Sequence, residues 1–88
     1  MVTVERLDED MELELVELFP KQSELRLRAV RLLFLLEESG PKRQNELSEE
    51  LGMQPYEMTR LLEKLEFHHY ITRRREGKDK IVSLWAET

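Results

Sequence analysis

Residues 51–85, LGMQPYEMTRLLEKLEFHHYITRRREGKDKIVSLW, contain a turn, an amphipathic helix and a hairpin pattern in direct succession. Gly52 follows a short helical pattern, where glycine commonly ends a helix, and Pro55 stands at the first helical position, where proline is favoured. The spacing i, i+3, i+4, i+7 marks one buried helix face, formed by Met58, Leu61, Leu62 and Leu65. This segment therefore predicts the second half of a helix-turn-helix followed by two strands.

The strands are predicted over Tyr70–Arg75 and Lys80–Trp85, and EGKD between them supplies a turn that contains Gly77. In the second strand, side chains alternate between the two faces of the hairpin. Apolar residues occupy both faces: Val82 and Leu84 on one, Ile81 and Trp85 on the other. We therefore expect the hairpin to be packed on both sides.

Upstream, Ser23 is a suitable N-cap for a helix over residues 24–39, and Gly40-Pro41 ends it. One apolar stripe of this helix consists of Leu25, Ala29, Leu32, Leu33 and Leu36. Phe34 and Leu35 lie off that stripe, so this helix needs cover on two sides.

A shorter helix over residues 43–51, with Leu47 and Leu51 facing inward, leads to the turn at Gly52. The element order predicts a mainly α fold with a small β-hairpin wing, a winged helix-turn-helix, over residues 23–88.

Residues 1–22 form an acidic N-terminal segment. Residues 1–19 carry seven acidic side chains against one base, Arg6, whereas residues 20–88 have a net charge of +1. Apolar residues at helical spacing predict a helix over residues 8–19 that ends at Pro20, although MELEL also alternates as a strand would. We interpret this segment as a candidate dimerisation arm.

Positive charge is concentrated in ITRRREGKDKIV, residues 71–82, although the whole chain has a net charge of −5. Alternation puts Arg73 and Arg75 on one face and Arg74 on the other, with Lys78 and Lys80 at the tip and beyond. A hairpin of this kind suits the phosphate backbone or the minor groove of DNA. The alternative is charge that protects an exposed strand edge from aggregation.

Several classes of protein are excluded by pattern. The chain has no cysteine and only two adjacent histidines, His68 and His69, so we expect no disulfide, metal site or cofactor. The longest apolar run is LLFLL, which predicts no membrane span, and no signal peptide pattern is present. The chain contains neither a glycine-rich phosphate loop nor a cysteine nucleophile, so its motifs do not indicate an enzyme. We expect a cytoplasmic location.

Residues 45–84 resemble the DNA-binding core of MarR-type winged helix-turn-helix transcription regulators. The resemblance is carried by Leu51-Gly52, Pro55, Thr59-Arg60, Leu62, Leu65-Glu66, Ile71, Asp79, Val82 and Leu84. It covers about residues 24–85 and implies a prokaryotic regulator that binds double-stranded DNA as a homodimer. It indicates neither the operator sequence nor a small-molecule effector.

Three departures from the family pattern have structural consequences. His69 stands where the family commonly has glycine, at a position that often needs a left-handed backbone. Arg43 replaces the usual Ser or Thr cap of the second helix, which predicts a weaker helix start. The chain stops just after the wing, without the C-terminal dimerisation helices of the family, so we expect any dimer to form through the N-terminal helices or through a different kind of contact.

The resemblance implies that a recognition helix, residues 54–68, enters the major groove while the wing, residues 71–85, contacts the backbone or the minor groove. The predicted DNA contacts are Gln54, Tyr56, Glu57, Thr59, Arg60, Lys64, Arg73, Arg74, Arg75, Lys78, Lys80, Lys42 and Arg43. The predicted dimer contacts are Leu15, Leu18, Phe34, Leu35, Phe67 and Trp85.

A protein-interaction adaptor is the alternative interpretation, because winged helices also serve in assembly. Phe67 on the outer helix face, the two-sided apolar helix 24–39 and the acidic N-terminal segment all suit it. Under this interpretation the arginines would meet an acidic protein surface instead of DNA.

Overall fold

The structure is a computed structural model that describes residues 15–19 and 23–85. Within these ranges the helices are α1 (Ser23–Ser39), α2 (Gln44–Leu51) and α3 (Pro55–Phe67), and the strands are β1 (Lys42–Arg43), β2 (Ile71–Glu76) and β3 (Asp79–Leu84). Residues 15–18 are also helical. The predicted winged helix-turn-helix, mainly α with a β-hairpin, is confirmed.

Helix α1 supplies one wall of the core. The predicted stripe is buried, with Ala29, Leu32 and Leu33 at 0% exposure and Leu36 at 2%, while Leu25 packs at its margin. The Gly40 N–H donates to the Leu36 carbonyl at 2.9 Å and closes the last turn. The second apolar side is only partly covered within the described residues.

Helices α2 and α3 form the helix-turn-helix through a left-handed residue. Gly52 ends α2 with φ 63°, and a Cβ there would meet nothing within 4 Å, so the backbone angle and not space favours glycine. The predicted inward residues of α2, Leu47 and Leu51, are buried. The predicted buried face of α3 is confirmed, since Met58, Leu61, Leu62 and Leu65 all have 0% exposure.

The start of α2 is capped in a way that the sequence interpretation missed. Arg43 offers no hydroxyl, but the Arg43 N–H donates to Glu46 Oε1 at 3.1 Å. The start of α3 repeats this arrangement, because the Gln54 N–H donates to Glu57 Oε1 at 3.0 Å. A carboxylate three residues into the helix thus accepts from the cap residue and also complements the helix dipole.

The wing is part of a three-stranded antiparallel sheet with the order β1-β3-β2. Strand β1 was not predicted, because two residues are too short to show a period; it pairs Lys42 with Val82 and Arg43 with Ile81. The hairpin lies one residue nearer the turn than predicted, with Glu76 opposite Asp79.

Gly77, with φ 61°, takes the first of the two turn positions. Ile81 at 9% and Val82 at 0% exposure point to opposite faces, so the prediction of packing on both sides is confirmed.

The connection from α3 to the wing passes through His69. Its φ of 63° makes it the one non-glycine residue with positive φ in the described ranges, and the predicted left-handed backbone is therefore confirmed. The His69 ring stacks on Trp85, with centroids 4.4 Å apart and planes at 19°. The Trp85 N–H donates to the Tyr70 carbonyl at 2.9 Å, which ties the end of the wing to its beginning.

Most of the predicted helix 8–19 lies outside the described residues, but its last turn is present. Leu15 at 0% and Phe19 at 1% exposure belong to the core of this domain. Arg26 Nη1 of α1 donates to the Phe19 carbonyl at 3.0 Å and anchors the turn. Leu15 was named as a dimer contact; its side chain is buried in the core of this chain, and a dimer contact there stays a prediction.

Candidate nucleic-acid interface

The outer face of α3 lies opposite its buried face and is largely open. Four of the predicted DNA contacts in this region are exposed: Gln54, Tyr56, Arg60 and Lys64. Tyr56 is 66% exposed, and Arg60, one helical turn further on, makes no ion pair with any described residue. Arginine in such a position has the geometry for a bidentate contact with guanine or phosphate.

Two further predicted contacts, Glu57 and Thr59, are engaged within the fold. Glu57 caps α3, as described above. The Thr59 hydroxyl donates to the Pro55 carbonyl at 3.0 Å and accepts from Gln44 Nε2 at 3.3 Å. Thr59 therefore fixes the first turn of α3 against the first residue of α2, and contact with DNA remains a prediction for both residues.

Arg73 of the wing is bound to the recognition helix. Its Nε and Nη2 atoms lie 3.1 and 2.9 Å from Glu66 Oε1, and its side chain is only 18% exposed. The charge of Arg73 is thus matched by an acid of α3. The pair joins β2 to α3 and sets the position of the wing beside the helix.

Arg74 points to the other face of β2, as predicted. Its Nε and Nη2 atoms lie 3.2 and 2.8 Å from Glu76 Oε2, and both side chains are more than half exposed. An exposed pair of this kind contributes little to stability and separates at small cost when another anion is offered.

The remaining basic residues of the wing are Arg75, Lys78 and Lys80, here called the unpaired wing cations. All three are exposed, and none forms an ion pair with a residue that the structure describes. A cleft of about 290 Å³ separates the wing from α3 and is lined by Thr59, Glu63, Glu66, Arg73, Arg74, Arg75 and Lys80. Helix α3 and the wing are therefore the two walls of one cleft.

Lys42 and Arg43 lie in β1 and are less available than predicted. Lys42 Nζ contacts Glu50 Oε2 at 2.8 Å, and this hydrogen bond raises the pKa of Lys42 above its usual value. Arg43 is more open, at 61% side-chain exposure, with Nε 3.5 Å from Asp79 Oδ2 of the wing. Arg43 stands beside the wing turn, whereas Lys42 is directed to α2.

A groove on the outer side of α3, here called the α3 groove, was not predicted. It has a volume of about 640 Å³ and is lined by Phe19, Leu25, Tyr56, Glu57, Arg60, Glu63, Lys64, Phe67 and His68. Lys64 Nζ lies 5.2 Å from the centroid of the Phe19 ring. Sequence periodicity gave no signal for this groove, because its walls come from three separate segments.

The predicted dimer contacts differ in their exposure. Phe67 is 78% exposed and Phe34 43%, whereas Leu18 and Leu35 are partly buried against the core and Trp85 against His69. Two further exposed apolar side chains, Val16 at 47% and Leu27 at 59%, were not predicted. Dimer contact at these positions stays a prediction.

Within the described ranges, no group of three or more His, Cys, Asp or Glu side chains is placed to hold a metal ion. The helices of the same ranges include none with the length and apolar character needed to cross a bilayer.

Comparison with known proteins gives a consistent result. The family model for the MarR family matches residues 25–80. A transcriptional regulator from Thermotoga maritima superposes with a TM-score of 0.63 and 24% identity, over 83% of this chain and 53% of its own. The antimony-specific transcriptional repressor AntR superposes with a TM-score of 0.60 and 25% identity, over 91% of this chain and 70% of its own.

The chain thus spans about half the length of the Thermotoga maritima regulator. A search of curated proteins found no match.

Proposed function

This chain belongs to the MarR family of winged-helix transcription regulators, and from that premise we propose that it binds double-stranded DNA through α3 and the wing. The observation that carries the proposal is the continuity of the two surfaces. Thr59 of α3 and the wing residues Arg75 and Lys80 line the same cleft, so one duplex can meet both elements at once.

Helix α3 supplies the sequence-dependent contacts in this proposal. Arg60 faces outward near the middle of the helix and reads guanine or clamps a phosphate. Gln54 and Tyr56 stand at the helix start, where side chains reach base edges and backbone N–H groups favour phosphate. Lys64 follows Arg60 by one helical turn and extends the contact along the major groove of the DNA.

The wing supplies contacts that depend on charge and not on sequence. The unpaired wing cations Arg75, Lys78 and Lys80 meet phosphates, and Arg43 adds a contact beside the wing turn. Arg73 has a different role in this proposal: through Glu66 it positions the wing. Arg74 contacts a phosphate once that phosphate has displaced the exposed Glu76 carboxylate from it.

We further propose that the protein acts as a homodimer in a prokaryotic cytoplasm, where the chromosome lies. Two copies related by a two-fold axis would read a roughly palindromic site, with half-site centres about 10 base pairs apart or a multiple of that. The antimony specificity is named for AntR alone. The comparisons do not support the adaptor alternative.

The experiment that tests this function is fluorescence anisotropy of a labelled random-sequence duplex at several salt concentrations. We expect the logarithm of the affinity to fall linearly and steeply with the logarithm of the salt concentration, as phosphate contacts require. Absence of binding at low salt would refute the proposal.

Sequence preference is tested after an operator has been selected from random duplexes. Arg60→Ala should reduce the preference for that operator, by about 1–3 kcal/mol if Arg60 reads a base pair. Arg31→Ala is the matched control, since Arg31 is an exposed arginine of α1 outside the interface. If Arg60→Ala and Arg31→Ala preferred the operator equally, Arg60 would not be a residue that reads the operator sequence.

A further inference from the structure

The α3 groove combines exposed aromatic side chains with a basic rim. Phe67 is 78% exposed and Tyr56 66%, and large exposed apolar side chains grouped on one groove commonly mark an interaction site. Arg60 and Lys64 stand on the same groove. Of its two acids, Glu57 already caps α3, so Glu63 alone opposes the two bases.

The N-terminal segment enters the described structure at this groove. Phe19 lines the groove, its ring lies under Lys64, and Leu15 precedes it by one helical turn in the core. The chain that leads to Leu15 therefore begins about 6 Å from Phe19 along the helix. Fourteen residues reach about 21 Å as a helix and more when extended, and α3 itself is about 20 Å long.

The composition of residues 1–14 complements the groove. The segment carries six acids against one base, in contrast to the bases of the groove rim and the wing. Its apolar residues Leu7 and Met11 are four positions apart, with Asp8, Glu9 and Asp10 between them. In a helix of this sequence, Leu7 and Met11 lie about 6 Å apart on one face with carboxylates beside them. This arrangement complements the exposed ring of Phe67, which has Lys64 one turn and Arg60 two turns before it on α3.

We propose that residues 1–14 dock in the α3 groove and compete with duplex DNA for the outer face of α3. Leu7 and Met11 cover the exposed ring of Phe67, while the acids of the segment pair with Arg60 and Lys64. The occupant is tethered to its site, so its effective concentration exceeds that of a second copy in dilute solution. The competition rests on the proposed function, whereas the docking does not.

Docking is tested directly with a spin label on the full chain. The sequence has no cysteine, so Val4→Cys gives one labelling site. We expect the label to broaden the amide signals of Arg60, Lys64 and Phe67 much more than that of Arg31 on α1. Uniform or absent broadening would overturn the proposal.

Two controls identify the occupant. Leu7→Ser with Met11→Ser, added to the labelled chain, should remove the selective broadening and leave the net charge unchanged. A mixture of spin-labelled protein with isotope-labelled protein that carries no spin label should show no broadening. Broadening in the mixture would mean that a second copy fills the groove, and the intramolecular proposal would be wrong.

Competition is tested by anisotropy with a random-sequence duplex. If the groove is open in about one molecule in ten, Leu7→Ser with Met11→Ser should raise the affinity about tenfold, which corresponds to about 1.4 kcal/mol. Because the charge is unchanged, a general electrostatic effect cannot produce this rise. Leu27→Ser is the matched control, since Leu27 is an exposed leucine of α1, and we expect no change in affinity.

The outcomes separate the two hypotheses. Equal affinities of the wild-type chain and the Leu7→Ser, Met11→Ser variant would refute competition while DNA binding stands. Absence of DNA binding by every variant would refute the proposed function, and the spin-label result would still decide whether the segment docks.

Discussion

Arg73 and Arg75 form a matched pair for testing how the wing meets DNA. They are the same residue type on the same face of β2, two positions apart. Arg73 is bound to Glu66 and 18% exposed, whereas Arg75 is exposed and forms no ion pair within the described residues. We expect Arg75→Ala to weaken the salt dependence of DNA binding and Arg73→Ala to leave it unchanged.

The expected magnitude follows from the proposed basic DNA contacts that have neither an ion pair nor an aromatic partner among the described residues, which leaves out Lys64 because it lies over the Phe19 ring. With Arg60, Arg75, Lys78 and Lys80 as phosphate contacts, the slope of log affinity against log salt is about −3.6 for each domain, at about −0.9 for each phosphate neutralised. Arg75→Ala should bring it to about −2.7. Between 50 and 200 mM salt, affinity would then fall about 40-fold instead of about 150-fold.

Arg73→Ala should act on stability instead of on the salt slope. It leaves Glu66 without its partner, but Glu66 is 38% exposed and remains hydrated, so we expect a loss of only about 1 kcal/mol. For a domain of this size the melting temperature would fall by about 4–8 °C.

Fluorescence anisotropy over a salt series and thermal denaturation followed by circular dichroism measure the two effects. Equal slope reductions in both variants would show that Arg73 leaves Glu66 for a phosphate, and the assignment of Arg73 to positioning would be wrong.

Substitutions at three further positions test the fold. His69→Gly should be more stable than His69→Ala by about 1 kcal/mol in urea denaturation, because φ of 63° suits glycine; equal stability would contradict the left-handed backbone. Leu62→Ala should cost about 2–5 kcal/mol, and a loss below 1 kcal/mol would contradict its full burial. Glu50→Gln should lower the raised pKa of Lys42 towards 10.5 in an NMR titration. A Lys42 pKa that is higher in the folded than in the unfolded chain stabilises the fold at any pH below the unfolded-state pKa, and this stabilisation is lost as the pH rises through the folded-state pKa. An unchanged Lys42 titration in Glu50→Gln would show that Glu50 does not raise the pKa.

Periodicity was sufficient for the helices because each buried face repeats over several turns. The four buried residues of α3 and the stripe of α1 were assigned from spacing alone, and the structure confirms them. The hairpin was found from turn chemistry at Gly77 and from alternation on either side, within one residue of its observed limits. Helix periodicity and turn residues are local features, so they can be recognised in the sequence without knowledge of the tertiary structure.

What the sequence did not reveal depends on partners distant along the chain. Strand β1 exists because Lys42 meets Val82, which a two-residue segment cannot indicate by itself. The number of basic residues in the wing could not show that Arg73 is bound to Glu66, because these two residues lie in different secondary-structure elements. The cap at Arg43 was also missed, although its partner Glu46 lies only three residues later, where a glutamate is a known sequence signal for a helix start.

The strand order has a consequence for synthesis of the protein. Strands β1 and β2 both pair with β3, which is the last of the three to be made. The helix-turn-helix is complete at residue 67, but no strand of the described sheet has a partner until residues 79–84 have been translated. Pairing Lys42 with Val82 then closes a long loop, and such distant pairing slows folding. The wing is therefore the last part of the described fold to be completed, and the core that it shares with α3 is closed only then.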